Sequence, residues 1–156
     1  MNILMLCTKV PFPANDGGAL ATMSMVSLLT QNGYKVTILA VNPPKHQVTN
    51  ESFSPMEGVK IIPVEVNTNL KLIPMFLNFI FGTKPYVVIR FLNRLYKEKL
   101  KELIITEKFD IVQIEGSQLG IYLDVLSQIP GLRVIIRAHN VEWKLWQELS
   151  ETQNLL

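Results

Sequence analysis

The sequence predicts an α/β fold in three layers, with helices on both faces of a mostly parallel sheet. Three observations predict it. Residues 1–7 (MNILMLC) are a short apolar run that passes through Pro-rich 8–16 (TKVPFPAND) into Gly17-Gly18 and a helical stretch. A buried strand entering a helix through glycines is a Rossmann-like opening. Apolar runs of strand length then alternate with helical stretches along the chain, the pattern of a parallel sheet with crossover helices. Those runs end in residues suited to a site: Asn42-Pro43, Glu115-Gly116 and His139-Asn140.

Each element has its own signal. The first helix, 19–31, shows Leu20, Met23, Met25, Val26, Leu28 and Leu29 among Thr and Ser, and Asn32-Gly33 stops it. Residues 35–41 (KVTILAV) form the second strand, which Asn42-Pro43-Pro44 closes. His46–Pro55 is polar and irregular. Residues 59–66 (VKIIPVEV) form the third strand, and Pro63 places it at a sheet edge. Residues 69–81 are strongly apolar, with Lys71 the one charge. Pro85 precedes a long helix, 86–107, with Leu92, Tyr96, Leu100 and Leu103 at helical spacing. Residues 110–115 (DIVQIE) are the fourth strand, and Gly116 leads to a short helix ending near Ser127. Pro130-Gly131 turns the chain into the fifth strand, 133–138 (RVIIRA), and 141–149 reads as helix.

Composition narrows the function. The 156 residues make one domain's worth of chain, with enough apolar residues for a good core. No apolar run reaches the ~18 residues of a membrane span. The first seven residues lack the basic flank of a secretory signal. Cys7 is the lone cysteine, so no internal disulfide forms, which fits a cytoplasmic protein. A net charge of +2 gives no argument for a nucleic-acid partner. The charge is uneven, since Lys84, Arg90, Arg94, Lys97, Lys99 and Lys101 stand against only Glu98 and Glu102. Beside apolar 70–81, this makes 70–101 a candidate for peripheral membrane contact through anionic lipid at the inner face. The alternative is a solvated helix face next to a core or domain-interface segment. The two histidines and single cysteine make no metal cluster.

Ligands of open parallel sheets bind beyond the C-terminal strand ends. The fold therefore brings Gly17-Gly18, Glu115 and His139 to one edge. The start of a helix presents free N–H groups and a positive dipole end, and glycine lets an anion approach closely. Gly17 and Gly18 are thus candidates for binding a phosphate, or else a tight turn. The pattern is not G-x-G-x-x-G, and the second strand ends in Asn42 rather than an acidic ribose ligand, which argues against an NAD domain. Glu115 is either a solvated strand-end carboxylate or a hydrogen-bonding partner of a ligand, with Gly116 beside it. Asp16 is suited to capping the helix and is also a candidate ligand contact. Arg90 is a candidate for a ligand phosphate. His139 either satisfies nearby backbone or contacts the ligand in the cleft. Glu142 suits a helix N-terminus.

These residues, read together, resemble the N-terminal domain of GT-B glycosyltransferases of family 4. The segments that carry the likeness are KVPFPANDGGALATMSMVSLLTQNGYKVTILAVN, FDIVQIEG and VIIRAHNVEW, in the family's order and over essentially the whole chain. The resemblance implies retaining transfer of a sugar from a nucleotide-diphosphate sugar to a glycan or lipid-linked acceptor. The nucleotide sugar is substrate, and no cofactor or metal is implied. It implies that 1–156 is the acceptor-side half of the GT-B fold, with the nucleotide-holding domain absent and the fragment inactive alone. It also carries a catalytic role onto His139, where the imidazole would contact a sugar, donor-phosphate binding onto Gly17 and Gly18, and acceptor binding onto Asp16, Arg90, Glu115 and Gly116. The family's Glu-x7-Glu motif belongs to the other domain, and the Glu57/Glu65 and Glu107/Glu115 pairs match its spacing by chance. Two alternatives stay open: a nucleotide-sugar epimerase or phosphorylase of the same architecture, and a non-enzymatic α/β ligand-binding module. A response-regulator-like domain needs an acidic cluster after the first strand, where Thr8-Lys9 stands.

Overall fold

In the computed structural model, residues 1–44, 47–48 and 53–138 are described. The expected helix 141–149 and His139, Asn140, Glu142 and His46 lie outside the described residues. Five strands form one parallel sheet: β1 (Asn2–Cys7), β2 (Lys35–Asn42), β3 (Val59–Glu65), β4 (Ile111–Glu115) and β5 (Arg133–Arg137). Their order is β3-β2-β1-β4-β5. This is the Rossmann-like arrangement, with the strand order reversing between β1 and β4.

Side-chain alternation builds the three layers. Ile3, Met5 and Cys7 of β1 join Val36, Ile38 and Ala40 of β2 on one face. That face receives Met23 and Val26 of α1 (Gly17–Gln31). Leu4 and Leu6 point the other way, with Leu39, Val41, Val112 and Ile114. That face is covered by Tyr96, Leu100 and Leu103 of α4 (Arg94–Thr106) and by Leu119, Tyr122, Val125 and Leu126. The last four come from the 3₁₀ helix Ser117–Tyr122 and α5 (Leu123–Leu126). A one-residue slip of β1 would exchange these two cores, so both faces fix its register.

β3 is an edge strand, as Pro63 implies. Ile61 and Pro63 direct their backbone nitrogens the same way, and the Ile61 N–H donates outward to the Phe53 carbonyl at 2.8 Å. The donor that proline lacks is therefore missing on the outer side, where the β2–β3 ladder does not need it.

The long helix 86–107 is not one helix. It is α3 (Tyr86–Ile89) and α4, separated by Arg90–Asn93. Asn93 turns extended and caps α4, its Oδ1 accepting from the Tyr96 N–H at 3.1 Å. Tyr96, Leu100 and Leu103 are buried as their spacing predicts, whereas Leu92, at the break, is exposed. The apolar stretch 69–81 contains α2 (Leu72–Phe81), none of whose residues is buried. Among the described residues, no helix is long and apolar enough to cross a membrane.

Candidate functional site

The C-terminal ends of β1 and β4 diverge at the point where the strand order reverses, and a pocket of about 400 Å³ opens there. Cys7, Thr8, Lys9 and Pro11 line it from the β1 end, Gly17, Gly18, Ala19, Ala21 and Thr22 from α1, and Glu115 from β4. Three candidates from distant parts of the sequence, Gly17, Gly18 and Glu115, thus share one wall. A larger hollow of about 520 Å³ lies at the opposite edge, by Asn2, Lys35 and Lys108. The Lys60–Glu107 ion pair is part of its lining, and it sits at the N-terminal strand ends, where parallel sheets do not bind ligands.

Neither glycine of α1 is required by backbone conformation, since neither has a positive φ. A Cβ at Gly17 would meet nothing within 4 Å, and one at Gly18 would meet only Asp16 Oδ1, at 3.4 Å. The two glycines therefore leave open space over the helix start rather than relieve a clash. Asp16 is the N-cap: its Oδ1 accepts from the Ala19 N–H at 3.0 Å, and its Oδ2 is paired with Lys9. The Lys9 bond, helped by the Ala19 amide, holds the Asp16 carboxyl below its ordinary range. A depressed carboxyl pKa stabilises the fold at neutral pH, and that contribution fades as pH falls through the lowered value. Asp16 faces the neighbouring hollow beside Phe12 and Asn15, and Lys9 lines both.

Glu115 is not a solvated carboxylate. It is 3% exposed. Oε2 accepts from the Thr22 hydroxyl at 3.3 Å, and Oε1 from the Gln113 amide and from Arg137 Nη1, the latter at 3.5 Å. The network ties α1, β4 and β5 together at the pocket floor. Burial, with the Glu115 charge adding to it and Arg137 opposing it, pushes the Cys7 thiol far above its ordinary value. Cys7 is therefore a protonated wall residue at neutral pH and no nucleophile. Asn42 bonds the Val48 backbone, Nδ2 donating to the carbonyl and Oδ1 accepting from the N–H, each at 3.0 Å.

The remaining candidates sit elsewhere. Gly116 is not among the lining residues; it makes the turn after β4 with φ 89° and ψ 144°, conformational space open essentially to glycine. A Cβ there would also come within 2.7 Å of Gln118 Oε1. Gly116→Ala is expected to lower stability by about 1–2 kcal/mol, read from denaturant unfolding. Arg90 is the C-cap of α3, with its guanidinium 5.1 Å from the Phe91 ring centroid and its Nε buried without a hydrogen bond. His139 lies outside the described residues. Sequence reasoning passed over Lys9 and Thr22. Thr22 had a signal: it lies four residues after Gly18, one helical turn on, facing the sheet. Lys9 had none until the loop closed on Asp16.

No protein-family model and no characterised protein sequence matches the chain. Among solved structures it is similar to sucrose-phosphate synthase from Thermosynechococcus elongatus, with a TM-score of 0.64 and 13% identity. The match covers 94% of this chain and 35% of that one. The chain thus spans about a third of the protein it resembles, and at this identity the likeness carries the fold alone.

Proposed function

We propose that this domain is the acceptor-side half of a GT-B glycosyltransferase of the family 4 type, using a nucleotide-diphosphate sugar with retention. One observation carries the reading: the amide end of α1 at Gly17-Gly18 and the buried Glu115 share one pocket at the strand-order reversal. The fold likeness to a sucrose-phosphate synthase of which the match covers 35% supports it, and on this reading the nucleotide-holding half of the cleft belongs outside residues 1–156. On this reading 1–156 alone transfer no sugar.

The chemistry follows from what the pocket offers. The Gly17-Gly18 end of α1 supplies positive potential toward a leaving diphosphate, without a metal, and Lys9 stands beside it paired with Asp16. Glu115, fixed by Thr22, Gln113 and Arg137, presents a rigid acceptor oxygen wall for hydroxyls. His139 lies two residues beyond the end of β5 in sequence and is proposed to position the reacting sugar. Asp16 and Lys9 shape the loop, while Arg90 and Gly116 support the acceptor side from outside the pocket lining. A cytoplasmic location agrees with the lone reduced cysteine.

The test is a panel of nucleoside-diphosphate sugars offered to the full-length protein, with release of free nucleoside diphosphate as readout. His139→Ala is expected to lower kcat at least tenfold, about 1.4 kcal/mol of transition-state stabilisation. Normal kcat with a lowered melting temperature would make His139 a structural residue.

A further inference from the structure

The ten residues of α2, LIPMFLNFIF, hold no charge. None is buried, and Phe79 is 87% and Ile73 74% exposed. A helix apolar all round belongs in a core or a membrane, and an exposed patch of this kind marks an interaction surface. At its N-terminal end the helix is tied to α3. The Lys71 N–H donates to the Tyr86 hydroxyl at 3.2 Å. Gly82 folds back so closely that a Cβ there would lie 2.1 Å from Asn78 Nδ2.

The charge around α2 has one sign. From Val66 to Lys97 the chain carries Lys71, Lys84, Arg90, Arg94 and Lys97 and no carboxylate. Lys71 and Lys84 flank the two ends of α2 and are exposed. Arg94 pairs with Glu98 and Lys97 with Asp124, whose carboxyl Lys84 also helps to hold low. Neither Lys71 nor Lys84 is in an ion pair among the described residues.

We propose that α2 and its flanking lysines dock the protein on an anionic lipid bilayer. The helix lies in the interface with Leu72, Ile73, Phe76, Phe79 and Phe81 at the acyl boundary. An anionic bilayer is apolar and negative within a few ångströms, the complement of an apolar helix flanked by cations. A second copy of the chain would answer the apolar residues but set the same cations against each other. At ten residues α2 is about 15 Å long, half a hydrocarbon core, so it lies on the membrane rather than across it.

The docking surface and the pocket share a sheet edge. α2 follows the C-terminal end of β3, and α3 packs on the 3₁₀ helix that begins just after Gly116. A lipid-anchored acceptor is thereby presented to the Glu115 side. That use rests on the transferase reading, whereas the docking does not.

The test is flotation of the purified protein with vesicles of equimolar phosphatidylglycerol and phosphatidylcholine, without nucleotide sugar. Binding is expected to fall at least tenfold on phosphatidylcholine alone, and to weaken in about 1 M salt, where the Debye length is ~3 Å. Ile73→Glu with Phe79→Glu, and separately Lys71→Glu with Lys84→Glu, should each cost at least tenfold. Their melting temperatures should be unchanged, since all four side chains are exposed. Absence of vesicle binding, or binding indifferent to both pairs, overturns the proposal. So does an Ile73/Phe79 variant that turns a wild-type oligomer into a monomer while binding vesicles normally. Failure here leaves the nucleotide-sugar assays standing, and failure of those assays leaves vesicle binding standing.

Discussion

Gly18→Val is expected to lower transfer by the full-length enzyme about a hundredfold while moving the melting temperature by no more than about 2 °C. The two halves of this expectation have separate grounds. Gly18 has no positive φ, and a Cβ there touches only Asp16 Oδ1, at ordinary contact distance. Valine in the first turn of α1 therefore costs the fold little, and its helix propensity exceeds that of glycine. Gly18 lines the roughly 400 Å³ pocket with Lys9 and Glu115, so a side chain there is expected to take up space at its wall. There it occupies the space through which a diphosphate would reach the helix N-terminus. Steady-state kinetics on the active donor–acceptor pair and a thermal melt together decide the matter. Normal turnover in a folded variant removes the diphosphate from this pocket. A collapse in melting temperature returns Gly18 to the role of turn residue.

The parts of the fold that repeat a period were legible in the sequence. β1 and β2 were legible as continuous apolar runs, the mark of strands covered on both faces, and Pro63 marked the edge through its missing donor. Asp16 was legible as a cap because the preference is local: one carboxylate, three residues before the N–H it accepts from. Glu115 was legible as a strand end but not as a buried group. Its burial depends on Thr22 of α1 and Arg137 of β5, which lie 93 and 22 residues away. Such a network has no signature in a window of sequence. The pocket cation Lys9 was hidden for a similar reason, because only the closing of the loop onto Asp16 places it. The break between α3 and α4 escaped because Leu92, Tyr96, Leu100 and Leu103 keep helical spacing straight through it. Periodicity reports which face is apolar, not whether the backbone between two turns is continuous.

What makes that break is Tyr122, and its removal should be the largest stability loss of any change considered. Tyr122 is fully buried. Its hydroxyl donates to the Phe91 carbonyl at 2.7 Å and accepts from the Asn93 N–H at 3.0 Å. Those are the backbone groups left unpaired when the helix stops after α3 and restarts at α4. The ring packs against Tyr96, centroids 4.9 Å apart, in the core that α4 and α5 share. Tyr122→Ala removes both the ring and the hydroxyl. It is expected to cost about 4 kcal/mol, or about 10 °C in melting temperature for a chain of this size. Tyr122→Phe keeps the ring and should cost about 1–2 kcal/mol, for two buried backbone groups deprived of a partner. Amide hydrogen exchange separates the two contributions. In Tyr122→Phe the Asn93 N–H should lose protection while the Tyr96 and Leu100 amides keep theirs. If the phenylalanine variant melts with the wild type and protects Asn93 equally, the hydroxyl does not hold the break. The ring alone would then account for the alanine effect, and the separation of α3 from α4 would rest on the Asn93 cap.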